Sequence, residues 1–561
     1  MPVLGPDADA RQAWGDQPHL KAIQATSPPT AGAWIAWWAI LVLVIAGGAV
    51  RAWIWWVHDE VSADEALPGL MAWHIAQGRE YPAFYYGQFY FGAAESYLIA
   101  LLYRLFGFRP WLAVVPSWAA STLLIPAGYV LGRRLGGPLA GVLAAIPMAI
   151  SPPVLSGLFV NTGGGFSLAF LLQSAGLWCW LRAMDARASI WPLAAGSLIF
   201  GVLCWIWQPA LALFALLLPI WCWLTARRSW WRLALRFPAA VVPFLAGIAP
   251  ALIFNLWHDW LTYEQLVGKY LTPAGEAVGQ PGAGVALLPA LLLAALGGGN
   301  EVEGGANAVQ AALGAAALPL LLAGLWTSRR RDRVPAGTRQ AWRDGWILAI
   351  AFAVDVLAAH NTTRHLTPAA LLALAAAGPA LVLAGRALFP RLALLAGLVP
   401  IVAVVGAVVL PNVWLLRQHE RIFRHFVAGR RDVVAAVQAL DARGLALGYA
   451  DYWSAYPVTF LSGERMIVAP SVASLWGDRV DRYPAYTDLA DAETRIERLF
   501  LLLDDRCKLL PYTLVLEQYD ATYQLEHVAR WYLLWAIQPD AGQNDATLAA
   551  WRIVITNRKY C

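Results

Sequence analysis

The chain is short of charge. Only 14% of its 561 residues are Asp, Glu, Lys or Arg, while 59% are hydrophobic. With a mean hydropathy of +0.53, this excludes an ordinary soluble domain and points to a polytopic membrane protein. The net charge of +5 is small for the length, and the arginines sit in short clusters between apolar runs. They read as topology signals, and no nucleic-acid partner is expected. No cleavable secretion signal is expected either, because about thirty polar residues with Pro28 and Pro29 precede the first apolar run, Trp34 to Val57.

Cysteine is also scarce. Of five, Cys179, Cys204 and Cys222 fall inside apolar runs, where a cysteine serves as a small apolar residue. Cys507 and Cys561 lie in the polar C-terminal region; they would be bridged if that region faces an oxidising compartment, and the sequence leaves both states open. A fixed-period repeat is missing. The stretch Asn161-Thr162-Gly163-Gly164-Gly165 lacks the following Lys-Ser or Lys-Thr and the preceding strand of a phosphate-binding loop. Its glycines read instead as backbone lining a cavity.

What the chain has in abundance is apolar runs. A hydrocarbon core of about 30 Å asks for about 20 residues per helix, which places spans at 34–57, 110–132, 137–157, 163–182, 233–257, 306–326, 341–359, 364–385 and 390–412. The stretch 190–225 is long enough for two helices broken at Gln208 and Pro209. Runs 92–107 and 283–297 are marginal, so the expected count is about 11 to 13, odd either way. If the marginal runs do not fully cross, clusters at Arg133 and Arg134, Arg182 and Arg187, Arg227 to Arg232, Arg329 to Arg333, and Arg386 with Arg391 all face the cytoplasm, and that charge-consistent version has eleven spans.

The expected organisation is a cytoplasmic N-terminal tail (1–33), a transmembrane domain (34–412) with a first outer loop at 58–109, and an extracytoplasmic soluble α/β domain (413–561). In that last part Asp432 to Ala442 has a helical pattern, while Leu445 to Ala450 and Leu499 to Leu503 read as strands. Asp451-Tyr452-Trp453 and Phe460-Leu461-Ser462-Gly463-Glu464 read as loops at strand ends.

The first outer loop is the most informative stretch. Asp59, Glu60, Asp64 and Glu65 cluster at a membrane edge, where an ionisable group costs several kcal/mol unless it is hydrated, paired or used. Leu67, Leu70, Met71, His74 and Ile75 recur at helical spacing, and Ser62 stands three residues before Glu65 like a capping box. This predicts a short amphipathic helix lying on the membrane surface with the acids in its first turn. His74 reads as a packing or interface residue.

Ala63-Asp64-Glu65-Ala66, Gly69-Leu70-Met71-Ala72, Gly78, Phe84-Tyr85-Tyr86-Gly87-Gln88 and Tyr90-Phe91-Gly92-Ala93-Ala94-Glu95 together resemble the first outer loop of GT-C glycosyltransferases. The loop is similar to that of bacterial enzymes like the protein O-mannosyltransferases and lipid A aminoarabinose transferases. It covers Asp59 to Gly107 well, the hydropathy plan broadly and the C-terminal region in outline. The resemblance implies a polytopic all-α GT-C membrane fold, a polyprenyl-phosphate sugar as donor, and a lipid, glycan or protein as acceptor. It also implies a loop acid as catalytic base or acceptor-orienting group, a role that maps onto Asp64 with Glu65 beside it.

Asp59 and Glu95 are further substrate-binding candidates, the alternative being pairing with arginine or solvation. Tyr85, Tyr86 and Gln88 would line the sugar pocket or, for the tyrosines, anchor the interface. The departing phosphate asks for an outward-facing cation. Lys269 and the pair Arg364-His365 are the candidates, with snorkelling anchors as the alternative. Trp207-Gln208-Pro209 stands where many relatives carry a lysine, and Asn161 to Gly165 where many carry an acid.

No cofactor is certain and a divalent cation is left open, since His58, Asp59 and Asp64 match no closed zinc site. The alanine- and arginine-rich composition, with the resemblance, suggests the bacterial cytoplasmic (inner) membrane. Competing readings are a secondary transporter, with broken helices at Gln208-Pro209 and Gly297-Gly298-Gly299, and a non-catalytic membrane assembly protein on a related fold.

Overall fold

The computed structural model describes residues 31–151, 153–185, 189–227, 229–270, 336–358, 372, 376–386, 389, 391–417, 429–471, 480–504 and 506–556. The expected span at 306–326, the marginal run at 283–297 and half of the span at 364–385 lie outside them.

The chain enters through α1 (Ala31–His58), turns at Asp59 and starts α2 (Ala63–Gln77). A hairpin, β1 (Phe84–Tyr85) and β2 (Gln88–Gly92), and α3 (Ala94–Phe106) complete the first loop. A bundle follows: α4 (Val115–Gly136) after a 3-10 turn at Pro110–Val114, α5 (Pro138–Ala149), α6 (Pro153–Val160), α7 (Phe166–Ala183), α8 (Trp191–Ile206), α9 (Ala210–Ala226), α10 (Trp230–Trp257) and α11 (Leu261–Tyr270). After α12 (Ala336–Ala358), α13 (Ala393–Val404) runs through a π turn into α14 (Leu410–Arg417). Three of the described helices are long and apolar enough to cross a membrane: Trp34–Val57, Pro110–Gly136 and Trp230–Trp257. They leave Trp34, Trp37, Trp38, Trp230, Trp231 and Leu235 exposed, as a lipid solvent permits.

Proline sets the breaks. The stretch 190–225 forms two helices around Trp207-Gln208-Pro209, because proline lacks the N–H a continuous helix needs. Neighbours take up the freed backbone there, with Trp207 bridging to Phe91 of β2. The continuous span expected over 137–157 is not formed: α5 stops at Ala149 and α6 begins at Pro153. Helix α5 ends with Ile150 at φ −119° and ψ 76°, and the Pro-Pro pair that follows in the sequence disfavours helical geometry just before it. The carbonyls left at the end of α5 are satisfied by other helices. The buried Arg51 of α1 donates from Nη2 to the Met148 carbonyl at 2.7 Å, and Asn412 Nδ2 donates to that of Ile150 at 2.8 Å.

The C-terminal unit is a three-layer α/β sandwich. In chain order it contains α15 (Arg430–Ala442), β3 (Leu447–Ala450), α16 (Tyr452–Leu461), β4 (Ile467–Pro470), α17 (Pro484–Ala492), β5 (Leu499–Leu503), α18 (Arg506–Gln518), β6 (Thr522–Val528), β7 (Trp531–Gln538) and α19 (Asn544–Thr556). The sheet order is β4-β3-β5-β7-β6. Strands β4, β3 and β5 are parallel, with Leu447 opposite both Ile467 and Leu499; β7 and β6 close the sheet antiparallel. The all-apolar β5 is buried throughout, as a strand covered on both faces must be. On one face Val433, Leu440 and Val458 pack against Phe500 and Leu502. On the other, Leu509, Leu516 and Trp551 pack against Leu501 and Leu503. The stretches expected to be loops at strand ends are half helix: Asp451 caps α16, Tyr452 and Trp453 begin it, Phe460 and Leu461 end it, and Ser462 to Glu464 form the turn that follows.

The far end of α4 from α2 is locked by four charges. Arg134 Nε lies 2.6 Å from Asp344 Oδ2 and its Nη2 2.8 Å from Asp185 Oδ1. Arg343 Nη2 reaches Asp344 Oδ1 at 2.7 Å and Asp185 Oδ1 at 3.0 Å. Arg134, read from sequence as a topology signal, is thus also a packing element. Breaking a buried pair by removing one partner costs about 3–5 kcal/mol. Asp344→Ala is therefore expected to lower unfolding stability in detergent by about 3 kcal/mol, with Asp344→Asn less damaging, as read by thermal or denaturant melts.

Candidate functional site

Sequence fixes the start of α2 tightly. Ser62 Oγ accepts from the Glu65 N–H at 3.2 Å and Glu65 Oε2 accepts from the Ser62 N–H at 2.9 Å, so the capping box forms as the spacing predicts. Gly78, at φ 74°, caps the other end by donating to the His74 and Ile75 carbonyls. The expected amphipathic surface helix is not what forms between them, however. Ala63, Ala66, Leu67, Leu70, Met71, Ala72, His74 and Ile75 are all buried, because α3 covers one side and α16 of the C-terminal unit another. At Gly69 the Phe460 ring lies so close that any Cβ would collide with it.

Adjacent residues on a helix diverge by about 100°, and the two acids accordingly meet different surroundings. Asp64 points to the C-terminal unit, where Tyr452 Oη donates to its Oδ1 at 3.1 Å. The glycine-rich loop closes against the same turn. Thr162 Oγ1 donates to the Glu65 carbonyl at 3.2 Å, and a Cβ at Gly163 would lie 3.1 Å from the Asp64 carbonyl oxygen.

Glu65 borders a cleft of about 450 Å³ of empty space, partly open to solvent, lined also by Trp55, Glu60, Trp111, Thr162, Arg430 and Phe460. Burial raises the Glu65 pKa to about 8, against the opposing hydrogen bond from Ser62 and with help from nearby Glu60. Arg430 stacks its guanidinium 4.4 Å above the Trp55 ring.

The remaining sequence candidates are dispersed. Asp59, at φ 41°, accepts the Arg430 N–H on its carbonyl and places Oδ2 3.6 Å from Arg431 Nε. Glu95 is 0% exposed; it accepts from Tyr85 Oη at 3.2 Å and from Ser117 Oγ. Those two residues therefore form a buried knot joining the hairpin to α4. Gln88 starts β2, half-buried. Lys269 falls in α11, but its side chain, like that of His58, lies outside the described residues, as do Arg364, His365 and Cys561; the side chain of Cys507 does too.

Tyr86 belongs to a second contact with the C-terminal unit. Its hydroxyl donates to Glu80, whose Oε1 also meets His74 Nδ1 at 2.7 Å. His74 Nε2 faces Glu464 Oε1 at 2.8 Å, and Arg79 Nη1 and Tyr486 Oη reach Glu464 at 2.8 and 2.9 Å. His74 is an interface residue, as expected. Both ring nitrogens face carboxylates, and among the described residues no three His, Cys, Asp or Glu side chains form a group able to hold a metal.

No family model and no curated protein matches the sequence. Solved structures do. ArnT from Cupriavidus metallidurans bound to undecaprenyl phosphate superposes with a TM-score of 0.59 at 15% identity, over 88% of this chain and 97% of that one. The Archaeoglobus fulgidus oligosaccharyltransferase in the apo form superposes with a TM-score of 0.50 at 12% identity, over 92% of this chain and 78% of that one. The chain has the GT-C fold. The resemblance carried by the first outer loop thus extends over most of the GT-C architecture, C-terminal unit included.

Sequence reasoning missed three residues of this GT-C chain that surround the acids: Tyr452, Arg430 and Arg482. Tyr452 stood in a stretch marked by its Asp-Tyr-Trp run; nothing local marked the two arginines.

Burial opposes a charge on His74, yet the hydrogen bonds from Glu464 and Glu80 outweigh it and hold the imidazole above its ordinary 6.5. Although burial works the other way, His74 holds Glu80 and Glu464 below their ordinary 4.5. Stability from the imidazolium is complete below pH 6.5 and lost as pH rises through the raised value; that from the carboxylates is lost as pH falls through their depressed values. Melting of the wild type is therefore expected to weaken as pH rises from 6.5 to 9. His74→Gln should melt lower at pH 6 and show a shallower alkaline fall, the remainder coming from Glu65, whose raised pKa weakens the fold over the same range.

Proposed function

We propose that the protein is a membrane glycosyltransferase that moves a sugar from a polyprenyl-phosphate carrier to a lipid, glycan or protein acceptor on the extracytoplasmic face of the bacterial inner membrane. The observation that carries this reading is a carboxylate, Asp64, set in the first turn of α2 on a GT-C fold and oriented by Tyr452 Oη at 3.1 Å. The undecaprenyl phosphate in the solved ArnT structure supports a polyprenyl phosphate as the carrier.

A sugar on a lipid phosphate is already activated. The protein must take the proton of the acceptor hydroxyl and receive the charge on the departing phosphate. Glu65, with its pKa raised to about 8, keeps its proton at pH 7 and is unsuited to act as base there. That role falls to Asp64. Glu65 serves instead as the neutral cap of α2 and a hydrogen-bonding wall of the cleft.

Two variants separate the acids. Asp64→Asn should reduce transfer by about 100-fold or more with melting unchanged, measured in liposomes by mass spectrometry of the lipid and glycan fractions. Glu65→Gln keeps a side chain that still completes the capping box and mimics the protonated acid, so it should retain transfer at pH 7 within a few-fold. Undiminished transfer by Asp64→Asn would sink the assignment of the base.

A further inference from the structure

We propose that Arg482, supplied by the C-terminal unit, binds the phosphate of the polyprenyl carrier beside Asp64. The proposal rests on the transferase reading above and adds a residue to it.

Arg482 is held in place through its backbone. Its N–H donates to Tyr456 Oη at 2.8 Å, and the next residue's N–H reaches the same oxygen at 3.2 Å. The side chain then crosses to the first outer loop, where Nη1 donates to the Gly87 carbonyl at 2.9 Å. Gly87, at φ 61°, allows this approach, since a Cβ there would sit 3.1 Å from Arg482 Cδ. The guanidinium also acts electrostatically on Tyr452, opposing the rise that burial gives its hydroxyl, and that hydroxyl donates to Asp64. Asp64, the Tyr452 hydroxyl and Arg482 therefore form one chain spanning two parts of the molecule.

What sets Arg482 apart is the nature of its partners. At the same interface Arg79 is met by Glu464 at 2.8 Å and Arg431 by Asp59 at 3.6 Å. The neighbouring Asp481 carboxylate accepts from Tyr456 Oη at 3.3 Å. Among the described residues no carboxylate pairs with Arg482, its Nη1 acceptor is a carbonyl, and its Nε is buried with no partner. A half-buried guanidinium with a neutral acceptor and a spare donor is suited to an oxyanion, and its planar fork matches phosphate geometry.

The chemistry closes around this chain. The bond between the sugar's anomeric carbon and the phosphate oxygen breaks, and its electron pair stays on the phosphate, facing Arg482. The acceptor oxygen bonds to the anomeric carbon, and its proton passes to Asp64.

The test uses the full-length protein in detergent with undecaprenyl phosphate as probe and undecaprenol as the phosphate-free control, binding being read by native mass spectrometry. Arg482→Gln is expected to weaken undecaprenyl phosphate binding at least tenfold and leave undecaprenol binding unchanged, with Arg482→Lys recovering part of the loss. A second measurement needs no variant: phenylglyoxal labelling of wild-type Arg482, read on its peptide, should fall when undecaprenyl phosphate is added. Wild-type affinity in Arg482→Gln, or labelling unaffected by the lipid, would overturn the proposal. If Asp64→Asn abolishes transfer while Arg482→Gln binds normally, the transferase reading stands and the Arg482 assignment fails. If Arg482→Gln loses binding while Asp64→Asn still transfers sugar, the Arg482 assignment stands and the assignment of Asp64 as base fails; a wild type that binds undecaprenyl phosphate but transfers no sugar would overturn the transferase reading alone.

Discussion

The arrangement depends on one constraint: α2 is wedged between the helical bundle and the α/β unit. A helix carrying two acids in its first turn could not be buried on several sides without partners for them. The chain supplies these from both directions. The Ser62 N–H answers Glu65, Tyr452 answers Asp64, and Gly69 gives up its side chain so that Phe460 can close the seam. Were the α/β unit undocked, Asp64 would be an acid on a solvated loop.

Burial then separates two neighbouring carboxylates. One faces a tyrosine hydroxyl; the other faces an aromatic cleft and is pushed to about 8 by lost solvation. The cations follow the same division, with Arg430 beside the cleft and Arg482 beyond Tyr452.

Much of this was legible from local sequence. Ser62 and Glu65 announced the cap, Gln208-Pro209 the helix break, and Leu499 to Leu503 the central strand. Each is decided by interactions within a few residues or by an unbroken apolar run. What local pattern could not supply is contact across the fold. Tyr452 and Asp64 are 388 positions apart, and no periodicity in α2 says that a second domain will cover its outer side. For that reason α2 read as amphipathic, and nothing in the sequence said that Tyr85 would donate to Glu95 or Tyr86 to Glu80. The span over 137–157 read as continuous because hydropathy averages over Pro152 and Pro153, while the backbone does not.

The central claim is that the carboxylate at the start of α2 stands next to the phosphate of a polyprenyl carrier. A cryo-EM structure of the full-length protein in lipid nanodiscs with undecaprenyl phosphate tests it most directly. The account expects the phosphate density in the outer-loop site shared by Asp64, Tyr452 and Arg482, with the lipid chain running down between the helices. Density for the headgroup elsewhere on the protein, with that site closed and empty, would contradict it.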